Sequence, residues 1–184
     1  MRTSAATIWI VLAIAYQSLA GPLFVVAGVP QPWDGAPLGV LAPDFVLLVA
    51  LTLRLLDRSA ATLALAAGAG LLVECVSIDP WGSRLLPYAL AAWFLSVPAR
   101  EGWAESGWLR APCLLAAIAV ALLARQGVLW LHDAEMALPS LLTLAARCLY
   151  NALLGSCLYP LIAPSAAAFA RPRARALRTG GGTT

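Results

Sequence analysis

Six long apolar stretches, separated by short connections that carry most of the charge, decide what this chain can fold into. A segment needs roughly 20 mostly apolar residues to cross about 30 Å of hydrocarbon, and candidates lie at residues 5–28, 38–56, 60–78, 85–99, 111–131 and 141–163. The fourth is short and is bounded by Pro87 and Pro98. Backbone amides cannot be left unpaired in lipid, which restricts spanning segments to helices or closed barrels. These runs are too long and too continuously apolar for alternating barrel strands. The expected fold is all-α: one polytopic membrane bundle of six transmembrane helices over 1–170 with no soluble domain, then a basic cytoplasmic tail, 171–184, expected to be disordered. Only 11% of the residues are charged, against about 25% in soluble domains.

Every basic residue is arginine, and cytoplasmic loops collect such residues. An inside N-terminus puts nine of the twelve on the cytoplasmic side: Arg2, Arg54, Arg58, Arg100, Arg110 and the tail residues Arg171, Arg173, Arg175 and Arg178. Arg84 then falls in an outer loop, Arg125 and Arg147 fall within spans, and the outer loops hold Asp34, Asp79, Asp133 and Glu135. Both termini are therefore expected in the cytoplasm. Trp33, Trp81 and Trp130 fall at the outer ends, and Trp103 and Trp108 in an inner loop, as indole rings prefer. Arg2, an apolar run and Ser18-Leu19-Ala20 also fit a cleavable signal peptide, which would leave the other five orientations unchanged.

Ionisable residues inside spans cost about 2.5–3.5 kcal/mol each to insert and usually face the bundle interior or a partner. Asp44, Glu74, Arg125 and Arg147 are the candidates, all roughly 6–9 Å below the outer surface at 1.5 Å per residue. Two acids and two arginines at one depth predict an intramembrane ion-pair layer, with Asn151 one turn from Arg147 on the same helix face. A contact with a partner's transmembrane helix and a ligand or proton site are the alternatives. Pro43 favours a first helical turn, so the second span alternatively starts there with Asp44 at its positive end. Ala64 with Gly68, and Ala66 with Gly70, permit close helix packing in span three.

The stretch 43–93, PDFVLLVALTLRLLDRSAATLALAAGAGLLVECVSIDPWGSRLLPYALAAW, resembles the MreD family, small multi-pass proteins of the bacterial rod-shape (elongation) machinery. The counterparts are Pro43-Asp44-Phe45, the turn Asp57-Arg58, Gly68 and Gly70, the acid Glu74, the loop Asp79-Pro80-Trp81-Gly82, and Tyr88-Ala89-Leu90. In the last span Asn151-Ala152-Leu153-Leu154 precedes Tyr159-Pro160-Leu161 and an Arg-rich tail in the same way. The family more often carries Asp where this chain has Glu74. The resemblance implies a non-enzymatic scaffold that binds the bitopic protein MreC and, through it, couples the MreB filament to the peptidoglycan polymerase RodA and its penicillin-binding transpeptidase. Glu74, Asp79, Trp81 and Gly82 then form the expected partner contact.

No catalytic or metal grouping stands out: His132 is the sole histidine, and there is neither a zincin helix nor a nucleophile elbow. Cys75, Cys113, Cys148 and Cys157 have no Cys-x-x-Cys pairing and all lie in apolar spans, so neither a metal nor a disulfide is expected, and no cofactor. The tail arginines suit anionic lipid rather than nucleic acid. A rival reading from another class is the substrate-binding membrane subunit of an ECF-type vitamin or metal transporter, also a six-helix protein of about this length. Its docking spacing of small residues is missing from span one, where Ala13, Ala15 and Ala20 are followed four residues on by Gln17, Leu19 and Phe24.

Overall fold

A computed structural model of the protein describes residues 3–26, 43–57, 59–77, 80–96, 107–132 and 141–179. The chain is all-helical among the described residues: α1 (Thr3–Val26), α2 (Phe45–Leu56), α3 (Ala60–Val76), α4 (Leu85–Phe94), α5 (Gly107–His132) and α6 (Leu141–Thr179). Each falls on one of the six apolar stretches. Two segments are long and apolar enough to cross a membrane, Leu109–His132 and Leu141–Ser165. The other apolar segments, Ala6–Leu19, Phe45–Leu56, Ala60–Val76 and Leu85–Phe94, are shorter.

The sequence of α2, FVLLVALTLRLL, is apolar all round except for Thr52 and Arg54, and a helix of that kind belongs inside other helices. All ten residues from Val46 to Leu55 are buried. Helices α1, α3, α4 and α6 pack directly on α2. These four and α5, which packs between α4 and α6, touch one another in the order α1, α3, α4, α5, α6 and back to α1. Five helices thus close a ring around a central sixth. Their outer faces carry Val11, Leu72, Trp93, Leu123 and Leu153, each more than half exposed.

Consecutive helices run in opposite directions, so the bundle has two ends. Asp44, Glu74, Arg84 and Asn151 lie at one end; Arg54, Thr62 and Ser96 lie at the other. Helix α1 follows the same rule, with Gln17 bonded to Val46 at the Asp44 end. Its Trp9 Nε1 donates to Ser165 Oγ on α6 (2.9 Å).

Three element boundaries differ from expectation. Helix α2 starts at Phe45, not at residue 38, as the alternative start at Pro43 with Asp44 at the positive end has it: Asp44 caps the helix, its carboxylate accepting from the Leu47 amide at 3.1 Å. Residues 38–42 lie outside the described residues. Helix α4 ends at Phe94, where the Ser96 amide turns back onto the Trp93 carbonyl (2.8 Å). Helix α6 continues to Thr179 through the arginines expected to form a disordered tail. Alanine and arginine are among the strongest helix formers, and 166–178 contains little else besides Phe169, Pro172 and Leu177.

Candidate functional site

Asp44 is the point where the bundle is tied together. Its Oδ1 accepts from the Leu47 amide and from the Tyr88 hydroxyl. Its Oδ2 pairs with Arg84 Nη1 at 2.8 Å. The Asp44 amide donates to Asn151 Oδ1 (3.1 Å), and Asn151 Nδ2 donates in turn to the Arg147 carbonyl (2.9 Å). Gln17 Oε1 takes the Val46 amide at 3.3 Å. Side chains from α1 and α6, and Asp44 itself, thereby satisfy backbone amides where α2 begins, which would otherwise lack partners. The Asp44 carboxylate also sits against the positive end of the α2 dipole.

Glu74 performs the equivalent task for α4 from a different helix. Its Oε1 accepts from the amides of Arg84 (2.6 Å) and Leu85 (2.8 Å), at the start of α4. The α4 backbone comes that close only because Gly70, one turn before Glu74, has no side chain. A Cβ there would lie 2.7 Å from the Arg84 carbonyl oxygen and 2.9 Å from Leu85 Cα. Gly70 and Glu74 are thus one device: the first admits the Arg84–Leu85 backbone and the second binds it. Glu74 Oε2 is buried with no hydrogen-bond partner among the described residues.

The chain enters α4 through a turn over residues 80–83, where the Ser83 amide donates to the Pro80 carbonyl (3.1 Å). Gly82 sits at φ 87°, which a glycine adopts without strain and which this turn type requires at its third position. Trp81, 70% exposed, projects from the turn. Asp79 lies outside the described residues.

At the opposite end, Arg54 is buried to 5% exposure. Its guanidinium donates to the Ala92 carbonyl (3.3 Å), the Ser59 carbonyl (2.6 Å), Thr62 Oγ1 (3.0 Å) and Ser96 Oγ (2.5 Å). One side chain therefore joins the last turn of α2 to the α2–α3 connection, to α3 and to the end of α4. Beside it, burial pushes the Asp57 carboxyl up, but hydrogen bonds from Ser59 outweigh this and hold it below the ordinary value.

The expected ion-pair layer is assembled differently from its sequence reading. Asp44 pairs with Arg84, which the sequence placed in an outer loop, and Glu74 binds backbone amides; neither pairs with Arg125 or Arg147. The span count assigned Arg84 to the loop because it precedes α4 by one residue, yet its side chain folds back along the bundle. Asn151 does reach Asp44. Tyr88 and Arg54 were missed as site residues, Tyr88 because tyrosine in an apolar run is a weak signal and Arg54 because it stood beside a chain reversal. Glu74, 5% exposed, and Asp44, half-buried, are interior groups, whereas Trp81 is on the surface.

The Asp44 carboxylate thus binds the start of α2, Tyr88 and Arg84. Comparison of the chain with protein-family models, with curated proteins and with solved structures gives no match.

Proposed function

We propose that this protein is a non-enzymatic membrane scaffold of the bacterial cell-elongation machinery, of the MreD kind. In this reading all six helices lie in the cell membrane with both termini in the cytoplasm. The chain binds MreC and, through it, links MreB to RodA and its transpeptidase. The observation that carries the reading is that Asp44, Gly70, Glu74 and Tyr88, which belong to the family-like stretch, meet in one junction of α2, α3 and α4. That junction presents the exposed Trp81 beside it, a large rigid anchor of the kind that dominates interfaces. Glu74 contributes by fixing the start of α4, and Trp81 touches the partner.

Coexpression with MreC and copurification in detergent test this. Trp81→Ala should insert and melt like the parent yet lose MreC and round up rod-shaped cells. If the folded parent recovers no MreC, the reading loses its basis. One feature favours the transporter-subunit alternative: an apolar cavity of about 490 Å³ lined by Trp9, Leu12, Tyr16, Phe45, Val49 and Leu158, within the size range of small-molecule sites. Copurification of transporter ATPase subunits in place of MreC would establish that alternative.

A further inference from the structure

Among the described residues, three buried side-chain oxygens have no hydrogen-bond partner: Glu74 Oε2, Ser77 Oγ and Ser83 Oγ. All three belong to the junction of α3 with α4. Glu74 and Ser77 stand three positions apart at the end of α3, where such residues are neighbours. Ser83 immediately precedes the Arg84 amide, which lies 2.6 Å from the other oxygen of Glu74. Buried polar atoms are nearly always paired, so three exceptions at one junction call for a common cause.

Charge indicates what that cause is. Glu74 is buried, its contacts are the amides of Arg84 and Leu85, and no guanidinium pairs with it among the described residues. The nearby Arg84 is paired with Asp44 at 2.8 Å. The stretches of sequence between Val26 and Pro43, Ser77 and Pro80, and His132 and Leu141 contain four acids, Asp34, Asp79, Asp133 and Glu135, and no basic residue. A carboxylate taken out of water without a counter-charge is costly. We propose that Glu74 Oε2, Ser77 Oγ and Ser83 Oγ, with carbonyl oxygens of the last turn of α3, bind a sodium ion.

The donor set selects sodium. Carboxylate, hydroxyl and carbonyl oxygens suit hard cations, and one carboxylate balances one positive charge, whereas calcium takes six to eight oxygens, several of them from acids. Helix α3 ends at Val76; its last carbonyls lack partners within the helix and form the negative end of its dipole. Helix ends of this kind coordinate sodium in transporters. Oxygens that share an ion stand around it instead of bonding to one another, which accounts for all three at once. Ser77 also lines a cavity of about 140 Å³ with Gln17, Ser18 and Arg84, large enough for a few waters, which offers the ion a hydrated approach between α1 and α3. The inference stands on the unpaired oxygens and is independent of the scaffold reading.

The full chain, purified in detergent and exchanged into choline chloride at pH 8, is titrated with sodium chloride at constant ionic strength. The melting temperature should rise by about 3 °C or more for each tenfold increase in sodium above its Kd, and equilibrium dialysis with radioactive sodium should show an ion bound in proportion to the chain. Glu74→Gln keeps an oxygen for the α4 amides but not the charge. It should melt no lower than the parent in choline, show no response to sodium and retain no radioactive sodium. Ser77→Ala should fold like the parent and bind sodium severalfold more weakly; it decides the matter if Glu74→Gln does not fold, and unchanged sodium affinity in it then overturns the proposal. Equal stabilisation of the parent by choline and sodium, or a sodium response that survives in Glu74→Gln, also overturns it. So does a parent indifferent to sodium that is stabilised by acid through Glu74, since the occupant would then be a proton.

Discussion

An aspartate at a helix start is ordinary; here it also anchors an arginine and a tyrosine from another helix. Removing one partner of a largely buried pair leaves a charge without compensation, at a cost of about 3–5 kcal/mol. Asp44→Ala and Arg84→Ala should each destabilise the bundle on that scale, and the double variant should cost clearly less than their sum. Asp44→Ala combined with Arg147→Ala should be close to additive, because Asn151, not the Arg147 side chain, connects those positions. Unfolding of the purified protein in a denaturant series measures all three; additivity in the Asp44–Arg84 pair would show that the 2.8 Å contact contributes nothing. Depth within the apolar runs singled out Asp44 and Glu74, with Arg125 and Arg147, and helical spacing from Arg147 singled out Asn151. Pairing was not legible, since Arg84 enters the bundle by side-chain direction, which linear position does not encode.

Between elements, the tightest constraint is the approach of α3 to the beginning of α4. The two glycines of α3 look equivalent in sequence, each four residues after an alanine, but a Cβ on Gly68 would meet nothing within 4 Å while one on Gly70 would meet backbone at 2.7 Å. Gly70→Ala should therefore destabilise by about 1–3 kcal/mol, as overpacking does. Gly68→Ala should be neutral or slightly stabilising, because alanine is the better helix former. Thermal melts of the two variants decide it, and equal melting temperatures would mean that the α3–α4 distance is set elsewhere. Helix positions were legible because the apolar runs are long and well separated. Helix ends were less so: Asp44 and the turn after Trp93 stop helices where hydropathy alone continues.

For the molecule as a whole, alternating helix direction puts His132 and Leu141, the facing ends of α5 and α6, at the Asp44 end and the later turns of α6 toward the Arg54 end. In the scaffold reading a reporter fused after Thr184 is in the cytoplasm, and one inserted between His132 and Pro139 is outside. An outside C-terminus would require an odd number of spans and would remove one of the shorter helices from the membrane. The ring itself was not foreseeable, because which of six apolar helices occupies the middle depends on contacts between residues far apart in the chain. Its closure has a consequence for how the protein is made. The ring is shut by α6 meeting α1, with Trp9 and Ser165 156 positions apart, and α6 also supplies Asn151 to the start of α2. The centre of the bundle is thus emitted second from the ribosome but keeps one flank open until the sixth helix arrives. In the membrane reading, that flank, and the unbonded amide of Asp44 with it, is sheltered throughout synthesis by the insertion machinery or by lipid.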